Sequence, residues 1–328
     1  MLTLPAFEWL RPANLDDALA HLANHAAESL VVAGGTDAVP NLKHRLHEPR
    51  WIVHLGRLDE LRFVRESEGA LSIGPLVTLS AIARHEGIRR DFPSLARAAS
   101  LVASPQIRNM GTLGGNLCLD TRCTYYNQTY FWRDALGFCL KKDGVRCHVV
   151  PQGRRCVAAH SSDVSPVLIS LDASVDISNA RGSRTVPVDE FFVGDGVHNN
   201  VLVPGELVTR VTIPAASRGL RAAYQKLRPR AAIDFPMLSV AFAARVSDGG
   251  CEHARLVVSA LGAKPRRIGG LDALVKGRPL DDALGEALAE AAYRQCRPLT
   301  NVAYDDAYRH EMVPVFVRRA VREAGGIA

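Results

Sequence analysis

Two Gly-Gly pairs about eighty residues apart constrain this chain more than any other feature. A glycine turn between a strand and a helix lets main-chain N–H groups approach a phosphate closely, because no Cβ intervenes and the helix dipole favours an anion there. Leu30-Val31-Val32-Ala33-Gly34-Gly35-Thr36-Asp37 has this form, with a helical pattern following from Val39 to Leu46. Gly114-Gly115-Asn116 offers a second cradle, and two such turns can grip both phosphates of a dinucleotide, with the Thr36 and Thr112 hydroxyls as added donors. Neither pair sits in Gly-x-Gly-x-x-Gly, and no Gly-x-x-x-x-Gly-Lys-Ser/Thr loop occurs, so nicotinamide and ATP readings lose their usual support. Taken singly, each pair reads better as a tight turn needing positive φ.

Around these turns the pattern is α/β. Asn14 caps a helix whose first turn carries Asp16 and Asp17 and whose stripe is Leu15, Leu19 and Leu22. Short strands are predicted at Trp51–Leu55 and Leu71–Gly74, and helices at Thr78–His85 and Pro93–Val102. From residue 166 regular structure resumes. Strand patterns at Ala222–Leu227, Leu238–Val246 and Ala254–Leu261 precede helix patterns at Leu271–Lys276, Ala283–Gln295 and Met312–Glu323, the order of a separate α+β domain. No run approaches the roughly 18–20 apolar residues of a membrane span, and no signal segment is evident, so a soluble, cytoplasmic protein is expected.

Between Cys118 and His160 neither helical nor strand period survives. Instead this stretch holds six of the twenty aromatics (Tyr125, Tyr126, Tyr130, Phe131, Trp132 and Phe138) and five of the seven cysteines. Such a segment reads as functional, since aromatic richness opposes disorder. Crowded cysteines in a chain without a signal favour a metal or redox centre over disulfides. The net charge of +6 is concentrated here too. Over residues 121–160, Arg122, Arg133, Lys141, Lys142, Arg146, Arg154 and Arg155 face only Asp134 and Asp143, which argues against a nucleic-acid-binding face.

Cys123, Cys139, Cys147 and Cys156 are spaced too widely for zinc knuckles, which pair ligands two to four residues apart. Widely set thiolates on a loop can wrap an iron–sulfur cubane, whose negative charge nearby Arg and Lys would stabilise. From spacing alone, a cluster, a zinc site and a basic insert with ordinary buried cysteines stay equally open. Cys118 is expected to pack beneath the second glycine turn, while His148 and His160 read as hydrogen-bonded histidines.

Ala33-Gly-Gly-Thr-Asp, Thr112-Leu-Gly-Gly-Asn, Asp163-Val-Ser-Pro and Tyr224-Gln-Lys-Leu-Arg-Pro-Arg-Ala-Ala-Ile-Asp together resemble, in order and spacing, the FAD-binding medium subunit of the xanthine dehydrogenase and carbon monoxide dehydrogenase family of molybdenum enzymes. The likeness covers nearly the whole chain. Within that family, Asn116-Leu-Cys-Leu-Asp-Thr-Arg-Cys-Thr-Tyr-Tyr-Asn-Gln is similar to the start of an insert in the β subunit of 4-hydroxybenzoyl-CoA reductase.

The resemblance implies an α+β protein in which a two-part N-terminal FAD-binding α/β domain (PCMH-type) carries an inserted iron–sulfur loop and a C-terminal α+β domain follows. Its expected parts are residues 1–55, 56–215 (with the insert at about 118–160) and 216–328. It implies pyrophosphate loops at Val31, Val32, Ala33, Gly34, Gly35, Thr36, Asp37 and Ala38 and at Thr112, Leu113, Gly114, Gly115 and Asn116. It places Val102 against the cofactor, Asp163 on its ribityl or adenosine part, Val208 against the flavin and Lys226 near the isoalloxazine ring. By the same likeness a [4Fe-4S] cluster falls to Cys123, Cys139, Cys147 and Cys156, ahead of zinc. The implied partners are a large molybdopterin subunit and a small subunit with two [2Fe-2S] clusters in a dimer of heterotrimers, with ferredoxin as electron donor. The chain itself would then transfer electrons. Alternatives are the FAD subunit of an aldehyde- or heterocycle-oxidising molybdenum enzyme and a zinc-stapled nucleotide-binding module.

Overall fold

The computed structural model describes residues 2–327. Mixed α and β structure is distributed over three sheets, as expected for an α+β protein. In the first, strand Trp51–His54 lies between Glu8–Leu10 and Ser29–Val32, all parallel, so the crossovers must be long enough to carry helices. One of them is Leu15–His25, where Asn14 accepts the Asp17 N–H as the sequence predicts, and Ala18, Leu19 and Leu22 face inward. The other contains Ala38–Lys43, directly after the first glycine pair.

The second sheet is antiparallel, in the order Val64–Ser67, Ala70–Ile73, Leu207–Ile213, Ser174–Asn179, Gly182–Pro187. Its edge strands were not legible in the sequence because they bury almost nothing: Gly182–Pro187 is exposed at nearly every position and so shows no alternation. Short helices Leu79–Arg84, Pro93–Leu101, Leu113–Leu117 and Val164–Ser170 pack on this unit around Ile82, Leu95, Leu113, Val167 and Val211 to form the largest core.

A third, antiparallel sheet runs Arg266–Arg267, Gly250–Ser259, Leu238–Ser247, Arg221–Leu227. Helices Asp282–Gln295 and Asp306–Gly325 cover one face and bury Leu284, Leu288, Val317 and Val321 against Val240, Phe242 and Leu256. The last helix begins earlier than its apolar period predicts, because Asp305 caps it by accepting the Ala307 and Tyr308 N–H groups. Between residues 118 and 160 the backbone is irregular except for helix Tyr130–Ala135, capped by Thr129.

Candidate functional site

The two glycine segments converge on one cleft of about 480 Å³, within the roughly 300–1,000 Å³ usual for cofactor sites. Val31, Val32, Ala33, Gly34, Gly35, Thr36, Asp37 and Ala38 all line it, with Val102, Thr112, Gly115 and Asn116 opposite. Gly35 adopts φ +72°, a left-handed conformation that Cβ-bearing residues seldom take. A Cβ on Gly34 would stand 1.9 Å from the Met110 carbonyl oxygen, so its lack of a side chain lets the two loops touch. Among the described residues, no protein acceptor meets the N–H groups of Gly34, Gly35 or Thr36. Main-chain donors need a partner, and a pyrophosphate supplies acceptors of the right charge.

The second glycine pair is held differently from the expected turn. Gly114 and Gly115 lie inside helix Leu113–Leu117, neither at positive φ, and the Thr112 hydroxyl caps that helix by accepting the Gly115 N–H at 3.1 Å. Leu113 and Gly114 accordingly stand behind the wall rather than in it; Leu113 belongs to the main core. Asn116 accepts the Ser162 hydroxyl at 2.8 Å and the Val164 N–H at 3.3 Å, tying the cleft to the segment beyond the insert.

Besides Leu113 and Gly114, three residues placed at the cofactor by resemblance lie outside the cleft lining. Val208 is buried within the second sheet, paired with Ile177, because its position in the strand points it into the main core. Asp163 and Lys226 are consumed by each other. The Asp163 carboxylate accepts from Lys226 Nζ at 2.9 Å and from the Tyr224 hydroxyl at 2.6 Å, with both charged side chains almost wholly buried. Burial pushes the Asp163 carboxyl up and the Lys226 ammonium down, while their contact opposes both shifts. Lys226 Nζ also donates to the Leu101 carbonyl at 3.1 Å, and Arg228 joins it at 3.2 Å. These cations therefore fix the backbone just before Val102 and Ala103, which do line the cleft. Lys226 is a positioning residue by this geometry.

Sequence reasoning missed several wall residues: His47, Asp120, Arg122, Ile233 and Phe235. Arg122 had been counted with the basic insert, but its guanidinium pairs with Asp37 and lies 4.4 Å over the Phe235 ring. No local motif announces such a contact.

A second, small cavity is lined by Cys123, Cys139, Cys147 and Cys156 together, with Tyr125, Tyr126, Lys141 and His148. Four cysteines spread over 34 positions thus meet at one point. Cys147 Sγ accepts the Val150 N–H and Cys156 Sγ the Ala158 N–H, each at 3.4 Å. Such N–H donors suit sulfur that carries negative charge. Burial pushes the Cys123 thiol up to about 11 and raises that of Cys156 as well, so thiolates here need a neighbouring positive charge. Among the described residues, no three His, Cys, Asp or Glu side chains stand so as to share a single metal ion.

Cys118 lines the large cleft, not this cavity, and burial pushes its thiol up to about 12. His148 hydrogen-bonds the Phe138 carbonyl at 2.5 Å. His160 is fully buried against Phe192, 4.5 Å between ring centroids, and lines neither site. The basic surplus is also partitioned. Lys141 and Arg133 are buried and Arg122 faces the cleft, leaving Lys142, Arg146, Arg154 and Arg155 towards solvent.

Comparison with known proteins bears on the fold and on the FAD cleft. Residues 5–216 match the FAD binding domain in molybdopterin dehydrogenase, and residues 222–324 match the CO dehydrogenase flavoprotein C-terminal domain. The chain is 27% identical over 324 residues to the nicotine 6-hydroxylase medium subunit of Paenarthrobacter nicotinovorans, covering 99% of each. It is 33% identical over 251 residues to an aldehyde oxidoreductase FAD-binding subunit of Escherichia coli, covering 74% of this chain and 77% of that one. Carbon monoxide dehydrogenase from Hydrogenophaga pseudoflava superposes with a TM-score of 0.80 at 26% identity, over 99% of both chains. The chain therefore belongs to the FAD-binding medium subunits of the xanthine dehydrogenase and carbon monoxide dehydrogenase family.

Proposed function

We propose that this chain holds FAD in the cleft between its two glycine segments and a [4Fe-4S] cluster on Cys123, Cys139, Cys147 and Cys156. In this reading it serves as the electron-transfer subunit of a complex with a large molybdopterin subunit and a small [2Fe-2S] subunit. The observation that carries it is the meeting of those four cysteines in one cavity beside a buried ammonium. When bound, a cluster exchanges single electrons and a flavin accepts one or two, so the pair would gather electrons delivered singly.

The chain's own residues would do the following. The N–H groups of Gly34, Gly35 and Thr36 would hold the pyrophosphate, and the apolar side chains of Val31, Val102 and Ile233 would keep water from the bound cofactor. Lys226 and Arg228 hold the 101–103 backbone in place behind it. Arg146, Arg154 and Arg155 give the insert an exposed positive face that fits an acidic carrier such as ferredoxin.

The insert favours an assembly of the 4-hydroxybenzoyl-CoA reductase type, in which electrons would serve reductive dehydroxylation on the partner subunit. A second reading, the FAD subunit of a heterocycle- or aldehyde-oxidising complex, is favoured by the names of the nicotine and aldehyde relatives. Counting iron, sulfide, zinc and flavin on the purified chain tests the proposal. Four iron and four sulfide per FAD, with a brown colour bleached by dithionite, are expected. A yellow flavoprotein without iron would leave only the second reading, and stoichiometric zinc would replace the cluster.

A further inference from the structure

One ion pair joins a residue of the cleft lining to a residue of the cysteine cavity. Asp120 lines the cleft and Lys141 lines the cysteine cavity. Between them, Lys141 Nζ donates to Asp120 Oδ1 at 2.6 Å. The ammonium is only 5% exposed, and its other acceptors are the Thr121 hydroxyl at 2.6 Å and the Thr121 carbonyl at 3.2 Å. It also lies 4.3 Å over the ring of Tyr126, which lines the cysteine cavity as well. The Thr121 hydroxyl in turn donates to the Gly196 carbonyl at 2.9 Å, and Gly196 N–H donates to the Cys156 carbonyl at 2.8 Å. A lysine is seldom buried unless paired, and this one, from the lining of the cysteine cavity, is paired with a carboxylate from the lining of the cleft. Asp120 Oδ1 also accepts the Thr121 N–H at 2.9 Å, while among the described residues no hydrogen-bond partner meets the buried second oxygen.

We propose that the Asp120–Lys141 pair is the electrostatic coupling element between the two cofactor sites. This rests on the reading that the four cysteines hold a cluster. An electron added on the cysteine side makes that site more negative by one charge, which the adjacent ammonium favours. An electron added on the flavin side meets the carboxylate, which disfavours it. The pair thus biases one-electron exchange between the two sites towards the cysteine side; one site loses the electron that the other gains, and no bond is made or broken. In surroundings of low polarity such charges act strongly on one another.

The test is a redox titration of the purified full chain in its native assembly, reading the cluster by electron paramagnetic resonance and the flavin by visible absorbance. Lys141→Met is expected to disfavour the reduced cluster about tenfold, a fall of about 59 mV for a one-electron couple. Asp120→Asn should move the cluster the opposite way and raise the flavin potential. The double variant should return the cluster towards the parent value, and Lys141→Arg should leave it nearly unchanged. A purely structural role would make both single variants lose iron or shift alike. Shifts of the same sign, or less than about twofold in every variant, overturn the proposal. Should Lys141→Met shed its iron, a lowered flavin potential still supports coupling and an unmoved one refutes it. An iron-free parent protein instead overturns the underlying cluster assignment, which the iron count separates from failure of the coupling.

Discussion

The flavin cleft is shaped where two glycine segments meet beside the principal core, whereas the cysteine cavity is enclosed by an irregular segment pinned through side chains. Gly34 touches the Met110 carbonyl and Gly35 turns the chain, so the first site's shape is fixed by backbone geometry. In the insert, the buried Arg133 donates to the carbonyls of His44 and Arg45, and Lys141 reaches Asp120 and Thr121. Few of its apolar groups are large and buried; Tyr126, Leu46 and Cys139 form only a small cluster. A site held by main chain survives the loss of most single side chains. A site held by a few buried cations and four thiols does not.

That contrast can be broken or sharpened by substitution. The largest expected effect comes from the almost wholly buried ion pair behind the cleft. Lys226→Met leaves the buried Asp163 carboxylate with the Tyr224 hydroxyl but no counter-ion, and the Leu101 carbonyl with Arg228 alone, which should destabilise the protein by about 3–5 kcal/mol and loosen FAD while leaving any iron in place. Chemical denaturation and flavin release would show it. Of similar size is a pH effect at the end of the insert. Burial lowers His160 to about 3, so the unfolded chain binds a proton that the folded chain refuses once pH falls below about 6.5. Stability should therefore decline from pH 6.5 towards 3 by up to several kcal/mol on this group's account, and His160→Phe should flatten the dependence.

Gly34→Ala comes next. Its methyl group has to displace the Met110 carbonyl, at a cost of about 1–3 kcal/mol, which should weaken FAD binding roughly ten- to hundredfold without loss of iron. The smallest effect belongs to the solvated charges: replacing Arg146, Arg154 and Arg155 by Gln should slow reduction by an acidic carrier a few-fold at low ionic strength and abolish most of its salt dependence, measured by stopped flow. An unchanged salt dependence would take the carrier off this face.

Much of this architecture could be read from residues, and the failures have physical causes. The Asn14 cap, the turn at Gly34-Gly35 and the amphipathic helices depend on local geometry, which sequence displays directly. Asp120 and Arg122 gained their places from tertiary packing, with no local sign of it. Lys226 stood in a recognisable stretch, yet only the fold revealed that it spends its charge on Asp163 behind the cleft. The cysteines were conspicuous by number, but their convergence over an aperiodic stretch had no periodicity to forecast it.

The central claim, that one polypeptide carries a flavin on main chain and a cluster on side chains, is tested most directly by counting iron and FAD in the Cys139→Ser, Cys147→Ser double variant. The account predicts a full complement of FAD with no iron left on this chain; retention of all the iron, or its loss together with FAD from a folded protein, would contradict it.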